Sequence, residues 1–360
     1  MFNFASPINS LGYGYAGLNI VKAAYHRNIS LAWHPVGQFS PTDIPPGDID
    51  IVMKARERGL FFDPKMPSVR MYHQFDLGLH CGSPRIGFPF FELDKFNEVE
   101  LHHLRNQDAI CVASEWAKGI IIKNGIDVPT WVAPLGVDRD IFHEVQQKQR
   151  IDETVFFNVG KWEIRKGHDV IIEAFERAFT LTDKVKLIMI CSNPFLTAEE
   201  QEEWVSRYRN SPLGGKIEIV PHRLKSQQQI ANAMQRCDVG VFPARGEGWN
   251  LDLLEAMSCG KQVIATNCSA HTEFCTPQNA MLVDVPDMEL AYDGKWFSGQ
   301  GRWGKLGEPQ IEQIAEHMRI AHKAKQSDTL GVNNAGIETA KHFSWENTVN
   351  KLALAVEGSR

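Results

Sequence analysis

The sequence predicts an α/β chain folded as two doubly wound parallel-sheet domains facing a central cleft. Two observations carry this. Short β-rich runs alternate with helical stretches along the whole length, and one strongly polar run, 144–153, divides them into two sets. At 360 residues, each set has enough chain for a hydrophobic core of its own. Strands that alternate with helices join into parallel sheets, because each crossover helix returns the chain to the same edge. Open sheets of this kind bind ligands outside the carboxyl ends of their strands, which places the expected ligand at the crest between the two domains.

In chain order, the first set of strands is predicted at 2–4, 30–33, 49–53, 69–73, 85–88, 109–112 and 130–133. The second set is predicted at 155–159, 186–190, 216–220, 238–242, 262–265 and 281–283. These runs are rich in Val, Ile and Phe and end at Gly, Pro, Asn or Asp, as buried strands do. The expected domains are therefore 1–150 and 151–335, with 336–360 forming a closing segment whose helix begins near Phe343-Ser-Trp-Glu. Between the last strand and the following helix lies an aromatic, glycine-rich insertion, 292–303, longer than an ordinary connection. Its Trp296, Phe297 and Trp303 suit two uses, stacking on a sugar or base and pinning the loop down.

Bulk composition excludes several classes. With 43% apolar and 23% charged residues, the chain is an ordinary globular one. A net charge of −6 gives no general basic footprint for nucleic acid or an anionic membrane. The seven cysteines are odd in number and include no Cys-x-x-Cys, which reads as reduced thiols in a cytoplasmic protein. No charged-then-apolar leader and no apolar run near the ~18 residues of a membrane span stand out. Stable membrane insertion is not expected, and any membrane association would be peripheral.

Three segments carry chemistry. In Glu247-Gly-Trp-Asn-Leu-Asp-Leu-Leu-Glu255, a glycine turn joins the strand 238–242 to a helix. Strand, glycine turn and helix start present free backbone N–H groups to a phosphate. Carboxylates flanking that turn accept hydrogen bonds from vicinal hydroxyls. Taken alone, the two glutamates also fit a solvated helix face. Lys161-Trp-Glu-Ile-Arg-Lys166-Gly places cations directly after the strand 155–159, where they could neutralise a diphosphate or simply face solvent. Gly12-Tyr-Gly-Tyr-Ala-Gly17 has the dinucleotide-loop spacing, but the second strand, which ends Leu31-Ala-Trp-His-Pro, lacks the ribose-binding acid. A tight turn without ligand is the other reading. None of the Gly-Lys pairs continues to Ser or Thr, so no Walker A loop is present. Asp48-Ile-Asp50, expected to open a strand, and Asp138-Arg-Asp140 read as structural, and no metal ligand set is expected.

The frame Pro243-Ala-Arg-Gly-Glu-Gly-Trp, continuing to Leu-Leu-Glu-Ala-Met257, resembles the donor signature of the GT-B retaining glycosyltransferases of the family-4 type. Asn158-Val-Gly-Lys-Trp-Glu-Ile-Arg-Lys-Gly is similar to the same family's second-domain cation loop, and Pro134-Leu-Gly-Val-Asp to its hinge segment. The resemblance implies a GT-B fold, a nucleotide-diphosphate sugar as donor (UDP- or GDP-sugar first), a hydroxyl acceptor, and no cofactor or metal. Glycan, lipid-linked sugar, small molecule and modified base all remain acceptor classes. By position it implies that Glu247 binds the transferred sugar and that Lys161 and Lys166, with Arg165 beside them, neutralise the diphosphate. Gly248, Trp249, Asn250 and Leu251 would cap the diphosphate, and Glu255 would bind the ribose. Gly12 and Gly14 would approach the diphosphate from the first domain, and Arg223 and Leu224 would lie against the base. His73, at a strand end, and Glu92 would face the sugar or acceptor side, as would Trp296. The closing helix would pack back towards the first domain. Two positions depart from the pattern: Trp249 replaces the usual Phe, and Asn250 the usual Gly. A nucleotide-binding oxidoreductase using the Gly12–Gly17 loop, and a GT-B protein that binds without turnover, are the competing classes.

Overall fold

A computed structural model describes residues 1–61, 63–145, 153–220, 224 and 226–359. The chain divides into two compact units, Met1–Asp138 with Phe343–Arg360, and Arg139–His342.

The first unit opens with β1 (Phe2–Ser6), α1 (Gly12–His26), β2 (Leu31–Pro35) and α2 (Ile49–Gly59). It continues through β3 (Ser68–Arg70), β4 (Arg85–Gly87), α3 (Glu98–Arg105), β5 (Ala109–Val112), α4 (Glu115–Lys123) and β6 (Thr130–Val132). These strands form one parallel sheet in the order β2-β1-β3-β4-β5-β6. Every residue of β1 and β5 is buried, as expected for strands covered on both faces.

Residues 49–53 are the one predicted strand that the structure overturns. Their β-branched Ile and Val pointed to a strand, yet the segment is helical through Gly59. Val52 and Ala55 are its buried residues, one helical turn apart, and the polar residues take the outer face. Gly59 closes the packing, since a Cβ there would stand 2.3 Å from the Trp33 carbonyl oxygen. Asp48 therefore precedes a helix rather than a strand, and its carboxylate pairs with Lys22 at 3.1 Å.

The second unit runs β7 (Thr154–Gly160), α5 (His168–Ala178), β8 (Val185–Cys191), α6 (Ala198–Arg209), β9 (Ile217–Ile219) and α7 (Gln227–Gln235). Then follow β10 (Val239–Phe242), α8 (Leu251–Ser258), β11 (Gln262–Thr266), β12 (Met281–Val283), β13 (Met288–Tyr292), β14 (Ser298–Gly304), α9 (Glu308–Gln326) and α10 (Asn334–His342). Its parallel sheet has the order β12-β11-β10-β7-β8-β9. The core packs Phe156, Leu187, Val239 and Ile264 of the sheet against Phe175 of α5 and Ile314 and Met318 of α9. The aromatic insertion is not a bare loop: β13 and β14 pair antiparallel as a hairpin.

The final helix, α11 (Trp345–Gly358), belongs to the first unit. Trp345 meets the Tyr15 ring edge-on at 6.0 Å, and Val137 N donates to Phe343 O at 3.0 Å. The units part at 138/139 and 342/343. Contacts explain the first division, because Ser258 Oγ of α8 donates to Phe142 O at 2.5 Å. At the second, α10 packs on α8 within its own unit. Most of the polar run 144–153 lies outside the described residues.

Candidate active site

In the second unit, β7 is the point where strand order reverses, with β10 on one side and β8 on the other. Such a switch point opens a crevice at the carboxyl ends of the strands. Two turns border it. The turn after β7 leaves Gly160 at φ 152° and enters α5 through Gly167 at φ 75°. Any Cβ at Gly167 would fall 2.1 Å from the Pro243 carbonyl oxygen, so this glycine lets the two turns touch. The turn after β10 carries residues 243–250 into α8.

Buried charges join the turns. Arg165 is only 4% exposed. Its Nη1 lies 2.9 Å from Glu247 Oε2 and donates to Gly246 O at 2.7 Å, while Nη2 reaches Glu163 Oε2 at 2.7 Å. Lys166 Nζ lies 2.8 Å from Glu247 Oε1 and 3.9 Å from Asp252 Oδ2. Lys161 turns to Glu163 Oε1 at 2.8 Å and stays partly exposed. The result is a continuous chain, Lys161–Glu163–Arg165–Glu247–Lys166–Asp252. Arg245 braces it from outside: its guanidinium holds Asp169 at 2.8 and 2.7 Å, and its N–H donates to Arg165 O at 2.7 Å.

This electrostatic balance is specific. Burial opposes ionisation of Glu247, but Arg165 and Lys166 outweigh it and hold the carboxyl well below the usual range. Burial likewise opposes the charge on Lys166, and Glu247 with Asp252 more than compensates, so its pKa is raised. Glu163 is lowered in the same way, burial being outweighed by Arg165 and Lys161. Asp252 goes the other way, because desolvation pushes its carboxyl up, with Lys166 opposing. Glu247 is therefore a fixed anion between two fixed cations. Both its oxygens are engaged, yet a carboxylate has about four acceptor positions and can take a further hydroxyl.

The turn itself explains the Asn250 departure. Asn250 has φ 82°, a left-handed conformation that glycine or asparagine adopts. Its side-chain oxygen accepts from Leu253 N at 3.3 Å and caps α8. Its amide contacts His271 Nε2 at 2.8 Å, and His271 Nδ1 lies 3.0 Å from Thr266 O. Burial lowers the His271 pKa to about 4, which keeps the imidazole neutral and fits acceptance at Nε2. Glu247 N donates to Ser269 Oγ at 3.0 Å. Trp249 is buried against Phe274, ring centroids 5.1 Å apart, a contact that anchors the turn.

Of the other predicted residues, Gly248 is buried in the turn, Leu251 starts α8, and Glu255 lies 2% exposed within it. Leu224 is half-buried, and Arg223 lies outside the described residues. Trp296 is exposed at the hairpin tip. In the first unit, Gly12 and Gly14 are not in a loop but in the first turn of α1. A Cβ on Gly14 would meet Asn9 N at 2.3 Å and one on Gly17 would meet Pro7 O at 2.2 Å, whereas Gly12 faces open space. His73 does not end a strand, since it lies beyond β3, before a short 3-10 turn. Its ring stacks on Phe75 at 5.2 Å and meets Tyr13 at 4.9 Å. Glu92 is half-buried in the segment beyond β4, where its charge is felt by Tyr13.

Glu163, Arg245, Asp252, Ser269 and His271 were not anticipated as site residues. Glu163, Arg245 and Asp252 sit inside the two recognised motifs, and their charge alone was the signal available. Among the described residues, no group of three or more His, Cys, Asp or Glu gathers as a metal site.

Residues 153–293 match the family described as glycosyl transferases group 1. A curated relative is the N,N'-diacetylbacillosaminyl-diphospho-undecaprenol alpha-1,3-N-acetylgalactosaminyltransferase of Campylobacter jejuni, 29% identical over 132 residues. That match covers 36% of this chain and 28% of the relative, so the chain spans less than a third of it. Sucrose-phosphate synthase from Thermosynechococcus elongatus superposes with a TM-score of 0.72 at 16% identity, over 99% of this chain and 98% of the other. HepE from Anabaena, solved with UDP-glucose, superposes with a TM-score of 0.68 at 15% identity, over 99% of each chain. The fold is thus that of the GT-B glycosyltransferases. More narrowly, the match to the glycosyl transferases group 1 family lies within the second unit.

Proposed function

We propose that this protein is a retaining glycosyltransferase that moves a sugar from a nucleotide-diphosphate sugar to a hydroxyl acceptor. One observation carries the reading: two buried cations, Arg165 and Lys166, are locked on Glu247 beside the turn that opens α8, at the switch point of the second sheet. Backbone N–H groups at 248–251 and the start of α8 suit a phosphate. Lys166, with Lys161 within the same chain of charges, stabilises the negative charge that develops as the diphosphate leaves. Glu247, held as an anion, accepts hydroxyls of the transferred sugar, and Glu255 those of the ribose. The anomeric carbon passes through an oxocarbenium-like state, and the acceptor proton goes to the departing phosphate on the same face, which keeps the configuration. No metal or cofactor enters this scheme, and the protein works in the cytoplasm. HepE was solved with UDP-glucose, which makes UDP-sugars the first donors to try.

A thermal-shift series with UDP-, GDP-, ADP- and dTDP-sugars, with NAD and FAD as controls, tests this on wild type and Glu255→Ala. A ligand that binds only the folded state raises its melting temperature. We expect one sugar nucleotide to do so in wild type and less in the variant. A response to NAD or FAD alone would overturn the reading. Once an acceptor is found, an inverted anomer in the NMR spectrum of the product would remove the retaining assignment.

A further inference from the structure

The hairpin β13–β14 is built as a rigid arm. At its root, Arg245 Nε and Trp303 Nε1 both donate to Glu289 Oε1, at 3.3 and 3.2 Å. Gly304 N donates to Arg245 O at 2.8 Å. The arm is therefore fastened to the turn that carries Glu247. Its tip is closed by Asp293 Oδ1, which accepts from the N–H groups of Lys295, Trp296 and Phe297 at 2.9, 2.7 and 2.9 Å. The tip then rests on the segment after β8. Lys295 Nζ pairs with Glu200 at 2.5 Å, and Trp296 meets Phe195 edge to face, centroids 6.1 Å apart at 75°. The arm follows the edge strand β12, and its tip meets residues that follow β8, on the other side of β7 in sheet order.

Two large rings end up in the open, Phe195 52% exposed and Trp296 47% exposed. Leaving such surface in water forgoes the gain from burying it, about 25 cal/mol per Å². The arm does not need them as anchors, because Phe297 on Trp303 (5.0 Å) and the Glu289 contacts already hold it. Next to Phe195 stands Lys161, its Nζ 5.6 Å from the ring centroid, the outermost cation of the chain of charges that includes Glu247.

We propose that the Phe195–Trp296 corner is a binding subsite for a pyranose ring of the saccharide substrate, a proposal that rests on the transferase reading above. The polar surroundings favour a sugar over a nucleobase. Lys295 Nζ lies 5.2 Å from the Trp296 ring centroid and Phe195 stands across it, so the exposed ring surface is bordered by charged groups. A pyranose is thick: its C–H groups carry slight positive charge towards a ring face, and its rim hydroxyls point sideways. Around this corner the side groups are Lys161, Lys295 and Glu200, donors and acceptors for such hydroxyls. The nucleotide contacts lie on the turns after β7 and β10, so the corner adds a sugar-selecting contact to them.

Saturation-transfer difference NMR tests this with methyl α-glucopyranoside, methyl α-mannopyranoside and methyl N-acetyl-α-glucosaminide as probes, and uridine and guanosine as controls. At least one glycoside should show ring C–H signals with wild type. Trp296→Ala and Phe195→Ala should weaken its binding about tenfold, as loss of an aromatic contact does, and Trp296→Phe should restore most of it. UDP and GDP thermal shifts should not change in these variants. No glycoside signal with wild type, or a signal unchanged in Trp296→Ala, overturns the subsite. So does loss of the nucleoside signals alone, which would assign the corner to the base. If UDP and GDP also fail to shift the wild type, the transferase reading falls as well; if either shifts it, only the subsite falls.

Discussion

The turn after β1 and the turns after β7 and β10 stand at comparable places, the carboxyl ends of strands where each sheet's order reverses. After β1, Gly14 and Gly17 in the first helical turns let α1 settle against residues 6–9, and Tyr13 Oη nearby donates to Phe90 O at 3.0 Å. After β7 and β10, glycine again brings backbones together at Gly167, but the space is filled by ions in contact. One architecture thus uses glycine for close packing in both units, with a chain of buried ion pairs beside it in the second. Glycine spacing says how closely backbones approach; the charges alongside are what differ between the two turns.

The largest expected effect comes from the charged turns. Glu247→Ala leaves Arg165 and Lys166 buried without their shared anion, and breaking a buried pair in this way costs about 3–5 kcal/mol. Urea unfolding should report it, together with loss of any sugar-nucleotide thermal shift. A loss under ~1 kcal/mol would mean that the cations find water or other partners, and the contrast between the turns would weaken.

Acid sharpens the same contrast. His271 has its pKa lowered to about 4 and His168 to about 3, both chiefly by burial, so the fold favours their neutral forms. Stability from these groups is complete above the unfolded value, about 6.5, and declines as pH falls towards 4 and then 3. Glu247 acts at lower pH, since its folded pKa is depressed: its contribution is present above 4.5 and is lost as pH falls further. Urea midpoints should be flat above pH 7 and fall below it, by roughly 3 kcal/mol of stability for His271 alone. A flat profile from pH 7 to 4 would show that the buried imidazoles do not behave this way.

Asn250 separates backbone from side chain. Asn250→Gly keeps the left-handed turn and should cost only a few tenths of a kcal/mol. Asn250→Ala loses the cap, the His271 contact and the conformation, about 1–2 kcal/mol. Equal effects in the two variants would remove the conformational account of this position.

In the first unit the glycines divide by space. Gly17→Ala would push a Cβ onto Pro7 O and should cost about 1–3 kcal/mol, while Gly12→Ala meets nothing and should be neutral or slightly stabilising. Because Gly12 faces open space, an alanine there also probes ligand approach. A weakened sugar-nucleotide shift in Gly12→Ala would support a donor role for this turn, and an unchanged one would remove it.

Much of this was legible in the chain. Continuous apolar runs such as 109–112 and 239–242 identified central strands because burial on both faces leaves no polar period. The Glu247–Glu255 and Lys161–Lys166 segments were recognisable since each is local, with spacing set by a single turn. Residues 49–53 misled for the same local reason: β-branched residues favour extended backbone, and only the packing of Val52 and Ala55 decided for a helix. Arg165 fits both a diphosphate contact and a solvent-facing cation, because nothing nearby in sequence shows Glu247, with which it is buried.

By itself, then, the sequence determined the alternation of strands and helices and the two motif turns. The tertiary structure decided which charges meet. Lys166 and Glu247 are 81 residues apart, and only the pairing of β7 with β10 brings their turns together. It likewise decided that the aromatic insertion is an arm reaching β8. The physical reason is range: propensity and periodicity act over one turn or one pleat, whereas ion pairs and ring contacts depend on strand order, which no local run of residues encodes.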